Sequence, residues 1–535
     1  MSEAQRVDRD VVEPSAPQGD EKDMLNDGPV IQEMHEGSTG DVAGGDGSDA
    51  PRPRLSRTRI ALLGLAMLLT YYMGTATVTA VTIVIPEAAA DLGVDVLTVQ
   101  WVSTAYSLAA GCGLLVAGRV ADIYSRKIIY LVGLAIICVF NVLSGVVHSL
   151  TPLCVLRAFA GLGQAIATPA GYGIIGSLVW HEPERTFVFA AFALGGAVGS
   201  STGTILGGAL ASVGRRGWTY SFFLFAGVSL IPLVIAIIAV PRDSGHEEHA
   251  TRDKRIDWLG AILITAAMVL LLFCLAESGE TPAGWRTPYI PALFVVAVLL
   301  IVVFLLWERY LELHTSYPPI AKFSIFTRYR YKVTAVCLSV FAVGASVSVL
   351  VYLSTLWYQD VKGMTALENA IHMLPANVSG FLAAGGVLFL VPRFRAPVLI
   401  GIGCILTGVG CMTFAIVPLD TSYWACEFIG LILIPAGIDL TFGVGNILLS
   451  NLVEPDEQSV GGAIFQTFGQ LAISLGICLS SLVSTLVRDS TGDLVKGLRD
   501  AAWLGAGLAW IVPVIVFVGL RKVGRAQDVA IIRSA

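Results

Sequence analysis

Fourteen apolar runs of 18 residues or more follow one another along the chain, separated by short polar connections. A helix rises about 1.5 Å per residue and needs about 20 apolar residues to cross the hydrocarbon core. The runs therefore predict fourteen transmembrane helices, at residues 60–85, 101–118, 128–147, 153–179, 187–210, 218–240, 258–276, 290–307, 333–359, 369–391, 396–419, 423–451, 459–487 and 501–520. Twelve of them hold no Asp, Glu, Lys or Arg. Backbone groups inside a bilayer must be satisfied within the structure, so uninterrupted apolar runs of this length read as helices, and the expected class is an all-α membrane protein.

The polar connections divide the runs into blocks. Six spans occupy 60–240, a charged loop follows at 241–257, two further spans lie within 258–307, an amphipathic linker covers 308–332, and six more spans fill 333–520 before a short tail at 521–535. Two six-span blocks related by a pseudo-repeat suit a secondary transporter, whose substrate site lies near mid-membrane between them. Both blocks carry a short basic loop between their second and third spans, GRVADIYSRK in the first and VPRFRAP in the second.

Composition agrees with this pattern: 55% of residues are hydrophobic and 14% charged, against about 25% charged in soluble chains. The net charge of -6 is concentrated at the start, where residues 1–50 hold 13 acidic and 3 basic side chains. Residues 1–55 are accordingly expected to be a disordered acidic tail, and without a cationic stripe in the body no nucleic-acid partner is expected. Lys and Arg favour cytosolic loops. Placing the N-terminus in the cytosol puts 23 basic residues at cytosolic ends and seven on the opposite face, so both termini are expected in the cytosol. The plasma membrane is the default location, and a vacuolar membrane would look the same in sequence. The nine cysteines form no CxxC, and His246 and His249 stand in HEEH, which lacks zinc-protease spacing, so no metal or cofactor is expected.

Few residues inside the spans carry chemistry. In the loop from Gly118 to Lys127, a glycine at a helix end permits a tight turn, after which Asp122 can pair with a cation such as Arg126 while capping a neighbouring helix. Such a clamp would lock one face closed, whereas an ordinary basic loop needs no such role. Arg157 would cost about 2.5 kcal/mol or more facing lipid and so must face the interior or water, where a buried Arg tying helices together through carbonyls is the alternative to a functional role. Gly195, Gly199, Gly203 and Gly207 repeat every four residues and form a bare stripe for close helix packing. Asp439 places a lone carboxylate mid-span, a functional-site hypothesis against a static interhelical hydrogen bond. Glu427 lies within two turns of the outer end and could reach water. Asn377 sits in an N-x-S sequon two turns inside a span, where a pore-facing or packing amide is expected instead of a glycan.

These motifs resemble those of the major facilitator superfamily. The loop from Gly118 through Asp122 to Arg126 and Lys127 is similar to motif A, G-x-L-a-D-r-x-G-r-k, with Ile123 and Ser125 departing from it. Trp101, Ala105 and Tyr106 resemble the opening of span two, and Arg157 to Gly163, including Gly161, resembles motif B. The stretch from Ile256 to Gly260 is similar to the start of the extra span pair in the fourteen-span drug:proton antiporter branch, with fungal exporters as the nearest comparison. The resemblance implies two six-helix bundles plus two extra central helices, and a part for Arg157 in proton or substrate coupling. It places the glycine stripe at motif C, where Ser200 stands in place of the proline. It also marks a departure: Thr77 occupies the position of an acidic residue in span one, which gives an anionic or neutral substrate more weight.

The reading that follows is a monomeric, proton-coupled exporter of a small organic molecule working by alternating access. Asp439 would titrate, Arg157 would couple it to the cavity, and Asp122 with Arg126 would latch the cytosolic side. A facilitator or importer of a small ion or nutrient is the alternative; a channel or a membrane-embedded enzyme is more remote. No phosphate-binding G-x-x-x-x-G-K-[ST] occurs, which argues against an ATP-driven pump.

Overall fold

The computed structural model describes residues 55–179, 181–241, 254–281, 284–364, 366–521 and 523–526. The expected acidic tail, most of the 241–257 loop and most of the 521–535 tail lie outside them. Every described element is helical, and the main helices run in chain order as α1 (Arg57–Ile83), α2 (Trp101–Cys112), α3 (Leu114–Ile123), α4 (Arg126–Val146), α5 (Leu150–Leu178), α6 (Glu184–Ala211), α7 (Gly217–Ala239), α8 (Trp258–Glu280), α9 (Tyr289–His314), α10 (Ser324–Thr355), α11 (Leu374–Leu390), α12 (Ala396–Ile416), α13 (Glu427–Leu452), α14 (Gln458–Thr491), α15 (Leu494–Trp510) and α16 (Val512–Gly519).

Among the described residues, 12 helices are long and apolar enough to cross a membrane, and 13 if α2 and α3, bent by 45°, form one span. All fourteen expected segments contain helix. The segment 369–391, however, holds only the 17-residue α11 behind a short helix at Ala366–His372. At about 1.5 Å per residue α11 covers about 25 Å, short of the roughly 30 Å core. The outer surface carries large apolar side chains such as Leu299, Leu306, Phe517 and Val518, all more than half exposed. An apolar surface on this scale belongs in hydrocarbon, and the protein is a multi-pass integral membrane protein.

Local sequence explains many helix starts. Ser56 accepts from the Arg59 amide, Ser125 from Ile128, Asp257 from Gly260 and Asp493 from Lys496, each satisfying an amide that the first turn leaves orphaned. Packing then follows small residues. The stripe on α6 lies on α1: a Cβ at Gly207 would sit 2.7 Å from the Ala80 carbonyl, one at Gly199 2.6 Å from that of Tyr72, and Gly195 and Gly203 face the Leu68 and Ala76 carbonyls. Gly161 on α5 presses equally on the Tyr106 carbonyl of α2. Without hydrophobic drive between helices in lipid, such backbone approach supplies the dispersion contacts that hold them together.

Helices of the N-terminal part pack mainly among themselves, α1 with α6 and α7, α4 with α5 and α7, and α2 with α5. Those of the C-terminal part do likewise, α12 with α13 and α15, and α10 with α14. The two parts meet where α3 and α5 touch α14 and where α6 touches α11 and α13, while α8 and α9 pair with each other and α8 leans on α2 and α14. At the ends of α8 and α9, Asp257 accepts from Trp307 Nε1 at 2.9 Å, and the buried Glu308 accepts from the Ile320 amide at 3.3 Å, which ties the linker to both helices.

Candidate functional site

Asp122 stands in the last turn of α3 and Arg126 opens α4, so the chain reversal between them sets the side chains against each other. The Asp122 carboxylate, 1% exposed, accepts from Arg126 Nη2 at 2.8 Å and Nε at 3.1 Å. It also accepts from the backbone amides of Ser459 at 3.1 Å and Val460 at 2.9 Å, in the first turn of α14. A carboxylate from the N-terminal part thus caps a helix of the C-terminal part, where orphan amides and the helix dipole both favour negative charge. Arg126 extends the bridge, Nη2 donating to the Pro455 carbonyl at 2.9 Å and Nη1 to Gly173 at 3.4 Å.

Two members of this loop behave differently from expectation. Gly118 was assigned to a turn at a helix end; it lies inside α3, and its role is close approach, since a Cβ there would fall 2.8 Å from Ala463 Cβ and 2.9 Å from the Ser459 carbonyl oxygen of α14. Lys127 donates to the Ile237 carbonyl at 2.9 Å and to that of Val240, so it holds the C-terminal end of α7. Further ties across the same seam carried no local signal. Arg185 Nη2 donates to Ser450 Oγ at 2.6 Å and its carbonyl at 3.0 Å, and the Tyr172 hydroxyl donates to Asn446 Oδ1.

The remaining site candidates are scattered. Arg157 is fully buried on α5, its Nε donating to the Val102 carbonyl at 3.2 Å and Nη1 to Asn141 Oδ1 at 3.4 Å, with the guanidinium 4.4 Å from the Tyr106 ring centroid and 5.4 Å from that of Phe222. No hydrogen bond or ion pair joins Arg157 directly to Asp439. Glu427, close enough to the outer end of its span to reach water, is 1% exposed: it accepts from Lys362 Nζ at 2.5 Å and Trp357 Nε1 at 3.0 Å. The π-helical turn Leu356–Val361 swings Lys362 over the start of α13 and closes that route. Thr77 is buried with its hydroxyl unpartnered among the described residues, and it is not part of the lining of the cavity between the two parts of the chain. Its neighbours Thr75 and Thr79 serve the glycine stripe, Thr75 Oγ1 donating to the Gly196 carbonyl at 3.2 Å.

Asp439 is the exception. Its helix α13 meets α11 at Gly380, where a Cβ would sit 2.6 Å from Asp439 Oδ2. The carboxylate keeps some accessible surface and has no hydrogen-bond or ion-pair partner among the described residues. Asn377, half-buried and one turn before Gly380, shares that face of α11. Phe442, one turn beyond Asp439, lines a cavity of about 80 Å³ between the two parts of the chain. Its polar lining comes from Tyr71 on α1, Gln164 and Thr168 on α5, and Gln466 and Gln470 on α14. No charged side chain lines it. Sequence reasoning missed this lining, because a glutamine or tyrosine in an apolar run has no pattern of its own. A larger groove of about 770 Å³ between α11, α12 and α13 is walled mainly by aliphatic side chains such as Leu382, Ile402 and Leu406, and its one hydroxyl, Ser379, is already spent on the Ile432 carbonyl.

An all-helical membrane protein with a cavity between its two parts, and charge-assisted contacts joining those parts at one end, has the architecture of a secondary transporter. The chain belongs to the Major Facilitator Superfamily, whose family model matches residues 63–279 and 259–477. It is 28% identical over 424 residues to the efflux pump terJ of Aspergillus terreus, covering 78% of this chain and 79% of that protein. It is 27% identical over 418 residues to the low affinity ammonium transporter of Saccharomyces cerevisiae, covering 77% and 78%. Among solved structures, the proton:xylose symporter XylE superposes with a TM-score of 0.62 at 13% identity, covering 89% of this chain and 99% of the other, which shows a shared fold. The protein is a secondary transporter acting on small molecules within the membrane.

Proposed function

We propose that the chain is a proton-coupled exporter of a small organic molecule, and that its cargo site is the cavity between the two parts of the chain. The observation that carries this reading is the unpartnered Asp439 carboxylate one turn from the cavity-lining Phe442, at the junction of α11 and α13. A carboxylate without a fixed cation can take up and release a proton as access alternates. Each elementary charge moved through 100 mV is worth roughly 2.3 kcal/mol, enough for about a fiftyfold gradient. One titrating group therefore suffices.

In this reading Asp122 and Arg126 latch the cytosolic face, with Arg185 reinforcing them. Arg157 fastens α5 to α2 and α4 and couples Asp439 to the cavity through α5, which carries the cavity-lining Gln164 and Thr168. The chain works as a monomer with six-span bundles at 60–240 and 333–520, two extra spans at 258–307 completing a fourteen-span path, and both termini in the cytosol of a plasma-membrane protein. The export direction is supported by similarity to a protein named an efflux pump. The ammonium transporter among the relatives keeps import of a small nitrogenous nutrient as the second reading.

The test is untargeted mass spectrometry of medium and cell extract from the native host with the gene present and deleted. A compound lost from the medium and retained in deletion cells supports export and names the cargo. An unchanged medium, with slower uptake of a supplied nutrient, replaces export with import.

A further inference from the structure

We propose that the hollow where α8 begins and α9 ends binds the headgroup of a zwitterionic phospholipid, phosphatidylcholine, with its phosphate on Arg255 and its quaternary ammonium among aromatic rings. The site lies apart from the central cavity and does not depend on what the carrier moves.

The start of α8 and the end of α9 border a space of about 550 Å³. At about 30 Å³ per water, this exceeds the volume of a headgroup of about a dozen heavy atoms. Arg255, Asp257 and Trp258 line it from the start of α8, Trp307 and Tyr310 from the last turns of α9, and Tyr317 from the linker. Its surroundings set its depth in the bilayer. Leu259 on its wall, with Ile262 and Leu306 close by in sequence, are about half exposed or more and belong against acyl chains, whereas the exposed Arg255 and Ser316 belong in water. Trp and Tyr gather at that boundary because their rings are apolar at one end and polar at the other. A lipid whose tails lie on Leu259 and Leu306 therefore brings its headgroup to the height of the hollow.

Among the described residues that line it, Arg255 is the one cation and Asp257 the one anion. Arg255 Nη2 donates to the Ser316 carbonyl at 3.2 Å, and its guanidinium lies 4.8 Å from the Tyr317 ring centroid. Tyr317 is itself fixed, its hydroxyl donating to the Ile256 carbonyl at 3.1 Å. These contacts orient a planar fork of five N–H groups, whose geometry matches phosphate oxygens. Asp257 is 4% exposed, Oδ1 accepting from the Gly260 amide at 3.0 Å and Oδ2 from Trp307 Nε1 at 2.9 Å. Its charge thus stands at the N–H edge of the Trp307 ring and polarises the ring toward a more negative face. Trp307 stacks on Tyr310 with centroids 6.0 Å apart, and Trp258 is well exposed at the mouth. Such π faces attract a cation that needs no hydrogen bonds, and a quaternary ammonium is one. An ethanolamine ammonium seeks acceptors, yet both Asp257 oxygens already accept. A purely anionic headgroup finds a single cation and is opposed by Asp257. Choline phosphate satisfies both halves of the lining.

The experiment titrates the purified, delipidated full chain in detergent with dioleoyl phosphatidylcholine, dioleoyl phosphatidylethanolamine or dioleoyl phosphatidylglycerol, and native mass spectrometry reads the first lipid bound. Phosphatidylcholine is expected to bind about tenfold more tightly than the other two. Arg255→Gln and Tyr310→Ala, both at exposed positions, are each expected to remove that preference, and Trp258→Ala replaces either one if it misfolds. Trp424→Ala, an exposed aromatic outside the hollow, should retain it. Glycerophosphocholine, which has the headgroup and no chains, is expected to leave the first lipid in place at equal concentration. Displacement by it would make a soluble phosphocholine ester the ligand and overturn the lipid assignment. Equal binding of the three lipids, tighter binding of either comparison lipid, or a preference that survives the variants overturns the proposal.

Discussion

Replacing Asp122 with Asn keeps the shape of the side chain and removes its charge at the point where the two parts of the chain are fastened. The native carboxylate accepts four hydrogen bonds, from Arg126 Nη2 and Nε and from the Ser459 and Val460 amides. Loss of a helix cap costs about 0.5–2 kcal/mol, and charge-assisted bonds contribute about 1.5–3 kcal/mol. Asparagine retains one accepting oxygen and places an amide against donors, so part of the cap survives and the ion pair does not. Arg126 stays tied to Pro455 and Gly173, which limits the damage to the fold. We expect the sealed state to weaken by about 2 kcal/mol, roughly a thirtyfold shift toward opening at this end. The reporter is Ser459→Cys in a cysteine-free background, a near-isosteric change at a fully buried residue whose hydroxyl has no partner. Its rate of modification by N-ethylmaleimide follows the open population and should rise about thirtyfold on adding Asp122→Asn. A rate within twofold of the parent, in protein of unchanged thermal midpoint, would refute the clamp.

Asp439→Asn is expected to abolish uphill transport while leaving exchange of cargo across proteoliposomes, and uphill accumulation at the original level would remove Asp439 from the coupling step. Glu427→Gln and Lys362→Met each break a buried ion pair and should lower stability by about 3 kcal/mol or less, given the partial exposure of Lys362. The double variant Glu427→Gln/Lys362→Met should be less destabilised than the sum of the singles, and strict additivity of thermal midpoints would deny the pairing. Gly203→Leu drives a side chain into the Ala76 backbone of α1 and should leave little folded protein, while Gly208→Leu, which faces open space, should elute as the parent does. Equal yields of the two would show that the stripe is not a packing face.

The fold class follows from the sequence alone, because crossing a bilayer is a local requirement that about 20 apolar residues in succession satisfy whatever lies elsewhere; the number of spans does not, since 12 helices among the described residues, or 13 with α2 and α3 joined, are long and apolar enough to cross. The Asp122–Arg126 pair was readable for the same reason, being four residues apart. So was the α6 stripe, though not its partner α1. Tertiary structure decided everything that depends on who faces whom. Arg185 meets Ser450 across 265 residues and Tyr172 meets Asn446 across 274. Glu427 was drawn under Lys362 by a π-helical turn, Gly118 became a contact in place of a turn, and Arg157 was enclosed by rings and carbonyls away from Asp439. The cavity amides, Gln164 on α5 and Gln466 and Gln470 on α14, belong to runs whose hydropathy they scarcely change. In a membrane every interior looks alike to a hydropathy pattern, since lipid-facing and core-facing surfaces are both apolar, and only the packing of helices tells which polar group looks into the cavity.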